Sequence, residues 1–391
     1  MTGGSSAAAP GPLPEPVASE RLDDLGKSDW FLRGSGVLDE SGEYAFRHTC
    51  HTQAVLAGVA PGRSRSLFRR AAERLEGSPR PSHGYREIAE RFAAARVWPK
   101  AADHWERAAA RAAQRLAFAQ AADSLDHAIA ALEHVAPSQA TQRRIAERLL
   151  DLGNVSIIAE GYTTGAAARA FERSRSTALD CGHAEIVLRA CAGELAVAAF
   201  GGDTALAHER SVALKAMASD LPSWRSMAHL YASYVAYSSG SFAAVVDEID
   251  LGMRWLDDAK PSTPAIRDLE TSLRAMHFAG VSMLGPLDAC RAAMRDLEAT
   301  LPVKPVEDMH AFYLLARSAL LHGWHEDGER LAERCREQAE RLGDLEFGRR
   351  ATAIAFLARS SRRLGDTAST QSAIEDCAQH DVDRNAHAQR T

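Results

Sequence analysis

A spacing of residues that recurs along most of the chain constrains its fold more than any other feature. Arg96 and Leu116 are each followed by a small residue at +5, a bulky one at +9 and a small one at +12: Ala101, Trp105 and Ala108 after the first, and Ala121, Leu125 and Ala128 after the second. Offsets of four and three residues place all three on one face of an α-helix. Such a face is typical of a helix packed closely against its neighbour, so the spacing predicts helical hairpins.

The same face recurs with a period of about 40 residues. Turn glycines follow Leu116 at intervals of 38 to 45 residues: Gly161, Gly202, Gly240, Gly285, Gly323 and Gly365. Glycine suits a turn that ends a helix because it adopts positive φ without strain. Small or aliphatic residues again dominate at +5, +9 and +12, and Arg173, at +12 from Gly161, is the one clear misfit. A period of this length predicts a helical solenoid.

Composition and charge restrict the class of protein. The 391 residues carry a net charge of −6, so no general basic field favours nucleic acid. The six cysteines are scattered and form no C-x-x-C pair, which is typical of reduced thiols in the cytoplasm. No apolar run is long enough to span a membrane, and the N-terminal residues do not resemble a secretory signal. We therefore expect a cytoplasmic protein without a membrane segment.

Four segments are predicted. Residues 1–19, rich in Gly, Pro, Ala and Ser, are expected to be disordered. Residues 20–80 are expected to form a winged-helix-like remnant and a connecting helix: a helical pattern from Glu20 to Leu32, a hairpin around Asp39–Gly42 and a further helix from His51. Residues 81–380 are expected to hold the helical repeats, and residues 381–391 a polar tail. The predicted fold class is all-α.

The repeats resemble a known family. A turn glycine followed by small, bulky and small residues is similar to the second helix of a tetratricopeptide repeat. The period is nearer 40 than the usual value of about 34 residues. The proline that often closes that unit appears once at the matching place, Pro302. The resemblance therefore implies a tetratricopeptide-like solenoid built from degenerate repeats.

The front of the chain carries a more specific likeness over residues 22–134. Three stretches, Tyr44–Leu56, Pro61–Glu76 and Ile88–Trp105, resemble the segment after the ATPase module of large ATP-binding LuxR-type transcriptional regulators, which belong to the STAND NTPases. In that family a winged-helix histidine lies near the phosphates of bound ADP, so the resemblance assigns His48 a vestigial nucleotide-sensing position. The family's other two modules have no match here. Gly26-Lys27-Ser28 lacks the earlier glycine of a P-loop, and the C-terminal residues do not resemble a helix-turn-helix.

No motif for catalysis or metal binding emerges. His48, Cys50 and His51 form a tight cluster, but no second pair stands at ligand spacing. We therefore expect no enzyme activity, no cofactor and no metal. The arginine-rich helix Arg63–Arg74 contains Glu73 and is followed by Glu76. We therefore expect this helix to present a solvated or interdomain face, and direct nucleic-acid binding is disfavoured.

The concave side of the predicted solenoid is the best candidate for a binding site. There the first helix of each hairpin faces inward, and residues at fixed distances before the turn glycines should line a groove: Tyr234, Tyr237, His310, Tyr313, Arg317 and Arg359. Tyrosine and arginine are the side chains that most often anchor interfaces. The competing interpretation is that Tyr231, Tyr234 and Tyr237 are core aromatics that fill space around alanine-rich helices.

Two functional hypotheses follow. The first is a non-catalytic scaffold or sensor arm in transcriptional regulation or signalling. It would bind a protein partner, a peptide segment or a small-molecule effector in the groove. The alternative is a small-molecule-processing enzyme or ligand-binding protein built on the solenoid pocket, in which His277 or His310 would act as an acid–base group.

Overall fold

The computed structural model describes residues 31–33, 44–46, 54, 57–77, 84–219, 221–258, 264–301 and 305–362. These residues are almost entirely helical, as predicted. They form fifteen helices: α1 Pro61–Glu76, α2 Tyr85–Ala94, α3 Trp98–Gln114, α4 Phe118–Glu133, α5 Gln139–Glu160, α6 Gly165–Asp180, α7 Ala184–Gly201, α8 Thr204–Met217, α9 Pro222–Ser238, α10 Phe242–Asp258, α11 Pro264–Ser282, α12 Leu287–Thr300, α13 Pro305–Leu321, α14 His325–Leu342 and α15 Leu345–Arg362. None of the described helices combines the length and apolar character needed to cross a bilayer.

Two short strands precede the helices. Strand β1 (Phe31–Arg33) pairs antiparallel with β2 (Tyr44–Phe46), and Leu32 lies opposite Ala45. The sequence predicted that Leu32 would end a helix. That assignment was wrong, because pairing with β2 satisfies the backbone of this segment in extended form. The other helices of the predicted winged-helix remnant, residues 1–19 and residues 381–391 lie largely or wholly outside the described residues.

Contacts divide the chain into two compact units. The first comprises Met1–Pro81 and Arg91–Val97, and the second comprises Ser82–Glu90 and Trp98–Thr391. Within the described part of the second unit, neighbouring helices pack as hairpins: α3 with α4, α5 with α6, α7 with α8, α9 with α10, α11 with α12, and α13 with α14. All of the features discussed below for the candidate site belong to this second unit.

One set of helices makes an additional series of contacts. We call α5, α7, α9, α11, α13 and α15 the odd row, because each of them contacts the next odd-numbered helix across its hairpin. The last of them, α15, also contacts the first, α5. The series of contacts therefore returns to its starting helix.

The buried face predicted from the spacing is present in most hairpins. Positions +5, +9 and +12 are buried in α4, α8, α10 and α14, with members such as Leu125, Leu214 and Ile249. Arg173 is exposed, and its helix buries the residues one position further along, Ala167, Phe171 and Ser174, in addition to Ala170 at +9. The reason is a longer connection, since α6 begins at Gly165, four residues after its turn glycine, whereas α8 begins two after Gly202.

The turn positions have the expected backbone conformation. Gly161, Gly202, Gly240 and Gly323 have φ between 73° and 92°. Arg96 and Leu116, which the spacing aligned with these glycines, have φ of 58° and 60° although a side chain makes this region costly. Gly285 is not among the described residues with positive φ, and Gly365 lies outside the described range.

Candidate functional site

A cavity of about 220 Å³ opens where four helices of the odd row meet. We call it the aromatic cavity. Its lining residues come from α7, α9, α13 and α15: Ala199, Phe200, Tyr234, Tyr237, Ser238, Tyr313, Leu314, Arg317 and Arg350. Four of the six residues predicted for the groove are therefore brought together here: Tyr234, Tyr237, Tyr313 and Arg317.

Helix α9 supplies two tyrosines to the cavity. Tyr234 and Tyr237 are three residues apart, so they lie on neighbouring turns of one helix face. The Tyr234 ring lies 5.6 Å from the Phe200 ring and 6.2 Å from the Tyr231 ring, centre to centre. Burial raises the pKa of Tyr234, and it is also the largest influence raising the pKa of Tyr237. Both hydroxyl groups are therefore protonated at neutral pH and available as hydrogen-bond donors.

Arg317 of α13 brings a positive charge to the same space. Its guanidinium carbon lies 4.7 Å from the centre of the Tyr237 ring, a distance at which a cation is attracted to the ring face. No carboxylate forms an ion pair with Arg317 in the part of the chain that the structure describes. Among the described residues, its charge thus faces a neutral ring and is balanced by no carboxylate.

Arg350 of α15 lies on another side of the cavity and is differently placed. Its guanidinium carbon is 5.2 Å from the Tyr162 ring centre and 5.3 Å from the Phe200 ring centre. Its Nε donates to Glu346 Oε1 over 2.8 Å. Burial opposes the charge, but hydrogen bonds with Glu346 and Tyr313 raise the pKa of Arg350 above its ordinary value. Arg350 therefore stays charged and is already paired.

The contact between α15 and the end of α5 lies beside this arginine, and we call it the seam. Gly161, which follows α5, has a φ of 92°, and a Cβ atom there would stand 2.7 Å from Glu346 Oε2. Tyr162, the next residue, is buried beneath Arg350. The seam is thus a close approach of backbone to carboxylate, at which a side chain would displace the end of Glu346.

His310, predicted for the groove, is not among the residues that line the cavity. Its ring packs edge-on against Phe347, with ring centres 4.4 Å apart. Burial is the main cause that lowers the pKa of His310 to about 4, and the positive charge of Arg350 acts in the same direction. His310 is therefore a neutral ring at physiological pH.

This burial predicts a pH-dependent stability. The unfolded chain protonates His310 near pH 6.5 and the folded chain only near pH 4, so the unfolded state binds more protons between these values. The contribution of His310 is present above pH 6.5 and is lost as the pH falls towards 4, with a slope of at most about 1.4 kcal/mol per pH unit. We expect His310→Gln to flatten the fall in the free energy of unfolding over this range, measured by urea titration at successive pH values. The exposed His208→Gln should leave the slope unchanged, and equal slopes in both variants would contradict the assignment.

The other predicted residues lie elsewhere. Arg359 does not line the cavity: its Nε is 2.8 Å from Glu329 Oε1 and its Nη2 is 3.3 Å from Glu333 Oε1, both on α14. These ion pairs hold the Arg359 side chain between α14 and α15. His48 lies outside the described residues.

His277, named for the enzyme hypothesis, lines a second cavity of about 510 Å³. Its Nε2 is 3.4 Å from Asp250 Oδ1, and both side chains are substantially exposed. The residues lining this cavity include no serine, threonine or cysteine that the pair could activate. Among the described residues, no group of three or more His, Cys, Asp or Glu side chains is placed to hold a metal ion.

Among the aromatic and charged residues of this region, sequence reasoning missed Phe200, Tyr162 and Arg350. A signal for Phe200 was available, since it stands two residues before Gly202 and Ser238 stands two before Gly240, and both line the cavity. Arg350 and Tyr162 meet only because α15 contacts α5. The spacing of the repeats carries no sign of that contact.

The chain was also compared with known proteins. No family model matches it, and no curated protein is similar to it. The aromatic cavity is thus the feature from which a function is inferred.

Proposed function

We propose that this chain is a non-catalytic helical-repeat sensor that binds a small effector in the aromatic cavity. The observation that carries the proposal is the meeting of three tyrosines with an arginine that has no acidic partner in the ranges that the structure describes. These residues come from hairpins distant in sequence. Pockets for small molecules are mostly apolar and aromatic, with a few polar groups that orient the ligand. The aromatic cavity has the aromatic walls and the polar groups of such a pocket, and its exposed lining is more polar than apolar.

The dimensions favour a small molecule over a protein segment. At a liquid volume of about 30 Å³ per molecule, the cavity of about 220 Å³ corresponds to about seven waters. An α-helix with side chains is about 10–12 Å across and needs an open groove. The aromatic cavity, at about 220 Å³ between four helices, is not a groove of that size. A partner protein would therefore bind on another surface, in response to the effector.

A sensor must change its conformation when the effector binds, and the position of the aromatic cavity between four helices would allow this. A molecule in the cavity would contact α7, α9, α13 and α15 together. A ligand shifts a conformational equilibrium by the difference between its affinities for the two states. Any state in which these helices separate would lose contacts to the ligand. The proposed setting in transcriptional regulation or signalling rests on the resemblance to LuxR-type regulators.

The enzyme alternative has less support. His310 packs against Phe347, and its lowered pKa makes it a weak base. His277 has a carboxylate neighbour but no nucleophile in its cavity. A binding role requires only the groups that the aromatic cavity contains.

The proposal predicts that the purified full-length chain retains a small molecule. We expect extraction under denaturing conditions, followed by mass spectrometry, to release a compound in stoichiometric amount. Tyr234→Ala removes one wall of the cavity and should lower the retained amount about tenfold or more, since the loss of one well-packed aromatic costs more than about 1.4 kcal/mol. Helicity by circular dichroism should not change.

Tyr85→Ala is the matched control, because Tyr85 lies on α2 and is partly exposed. It should retain the compound as the unaltered chain does. Equal retention by Tyr234→Ala and the unaltered chain would remove the aromatic cavity as the binding site. Recovery of no small molecule, together with a protein partner whose binding does not need Tyr234, would count against the sensor proposal.

A further inference from the structure

The charges that line the aromatic cavity indicate the charge of its ligand. Two arginines line it, and the lining residues include no aspartate or glutamate. Arg350 is already paired with Glu346, whereas Arg317 has no carboxylate partner in the described ranges. A partly buried cation without a counter-charge is costly. A ligand with one negative charge would remove that cost.

The placement of Arg317 suits a carboxylate in particular. Its guanidinium lies over the Tyr237 ring at 4.7 Å. A guanidinium stacked on a ring keeps its N–H donors at its edge, and this planar fork matches the two oxygens of a carboxylate. The hydroxyl of Tyr234, kept protonated by burial, is a further donor at the cavity wall.

The walls favour a planar ligand. Rings from three helices line the cavity: Phe200 from α7, Tyr234 and Tyr237 from α9, and Tyr313 from α13. The Tyr313 ring already packs edge-on against Phe347, with centres 5.4 Å apart. A rigid aromatic ring can enter such a set with offset or edge contacts and loses little conformational freedom. A flexible aliphatic chain would have to be ordered.

The volume favours a small ligand. At about 220 Å³ the cavity is below the usual range of about 300–1,000 Å³ for ligand pockets. A six-membered ring with one short acidic substituent fits within it. A nucleotide, a fused polycyclic compound or a tripeptide would extend out of the cavity.

We propose that the effector is a single-ring aromatic monocarboxylate, with its carboxylate on Arg317 and its ring among Phe200, Tyr234 and Tyr313. This inference rests on the proposed function, because it names the ligand class of the same cavity. Benzoate and phenylacetate are the simplest members of the class and serve as probes.

Isothermal titration calorimetry on the full-length chain, freed of retained compounds, tests the inference. We expect benzoate or phenylacetate to bind with one-to-one stoichiometry. Benzamide keeps the ring without the charge, and cyclohexanecarboxylate keeps the charge without the aromatic ring. Each of these two compounds should bind at least about tenfold more weakly than benzoate. Benzylamine and inorganic phosphate should do the same.

Variants assign the charge. Arg317→Gln should weaken benzoate binding about 10- to 100-fold, the loss expected for a charge-assisted pair. Arg317→Lys keeps the charge but not the planar pair of donors. Its affinity for benzoate should lie between those of the unaltered chain and Arg317→Gln. Arg143→Gln is the matched control, because Arg143 is exposed and paired with Glu147 on its own helix. It should bind as the unaltered chain does.

The outcomes separate the two levels of inference. Unchanged benzoate binding in Arg317→Gln, or equal binding of benzamide, would overturn the assigned class and leave a ligand-binding cavity in place. If no probe binds but extraction releases another compound whose retention needs Tyr234, the class is again wrong and the sensor proposal stands. If no probe binds and no compound is retained, both fall.

Discussion

Alanine at Gly193 is expected to lower the free energy of unfolding by about 3 kcal/mol or more, because the position has no space for a methyl group. A Cβ atom on Gly193 would stand 2.6 Å from two carbons of the Phe171 ring. The ring cannot move aside, since Phe171 is fully buried and a Cβ on Gly153 of α5 would meet the same ring edge at 2.5 Å. The Phe171 ring of α6 is thus packed between Gly153 of α5 and Gly193 of α7.

Chemical denaturation of Gly193→Ala, followed by circular dichroism, measures this loss. The matched control is Gly348→Ala, also in a helix, where the nearest atom to an added Cβ is 3.8 Å away. There alanine should stabilise the chain by up to about 1 kcal/mol through its higher helix propensity. Adding Phe171→Leu to Gly193→Ala should recover part of the stability. Equal midpoints for the two glycine variants would show that the ring yields to the methyl group.

Glu194→Gln should cost about 3 kcal/mol, because it leaves Arg175 of α6 with a neutral partner in a partly buried place and Arg210 of α8 with only the exposed Glu209. The Glu194 side chain is 7% exposed, with Oε1 2.7 Å from Arg175 Nε and Oε2 2.6 Å from Arg210 Nε. Glutamine has the same shape, so the change removes charge and little else. Breaking one member of such a triad leaves an uncompensated charge where water cannot fully solvate it.

The control for this prediction is a pair on the surface. Glu73→Gln removes the partner of Arg69 within α1, where the two side chains are 43% and 64% exposed. An exposed pair of this kind contributes little, because water and salt screen its charges. Urea titration at low and moderate salt should show a small, salt-sensitive loss for Glu73→Gln and a large, salt-insensitive loss for Glu194→Gln. A loss below about 1 kcal/mol for Glu194→Gln would mean that solvent reaches the two arginines.

The features set by local spacing were predictable from the sequence. The helical hairpins follow from small and bulky residues on one face, and the left-handed turns follow from glycine or its aligned positions Arg96 and Leu116. The Arg173 misfit shows where spacing fails. After the longer connection that follows Gly161, the helix buries Phe171 and Ser174 as well as Ala170 and exposes Arg173, and counting from the glycine cannot register that change.

The candidate site was predictable only in part, for a related reason. Tyr234, Tyr237, Tyr313 and Arg317 were found because they recur at fixed distances before the turns. Arg359 lies away from this cavity, and its guanidinium pairs with nearby carboxylates of α14. Arg350 and Tyr162 were missed because their contact depends on the combined packing angles of all intervening hairpins. No local sequence pattern specifies these combined packing angles.

The contact between α15 and α5 has a consequence for how such a chain can evolve. An open array lengthens or shortens by whole hairpins, since each unit needs only its neighbours. In the odd row, one added or deleted hairpin would part Gly161 from Glu346 and move Arg350 away from Tyr162 and Phe200. We therefore expect the number of hairpins to be fixed among descendants of this sequence, with duplication tolerated only outside the span from α5 to α15.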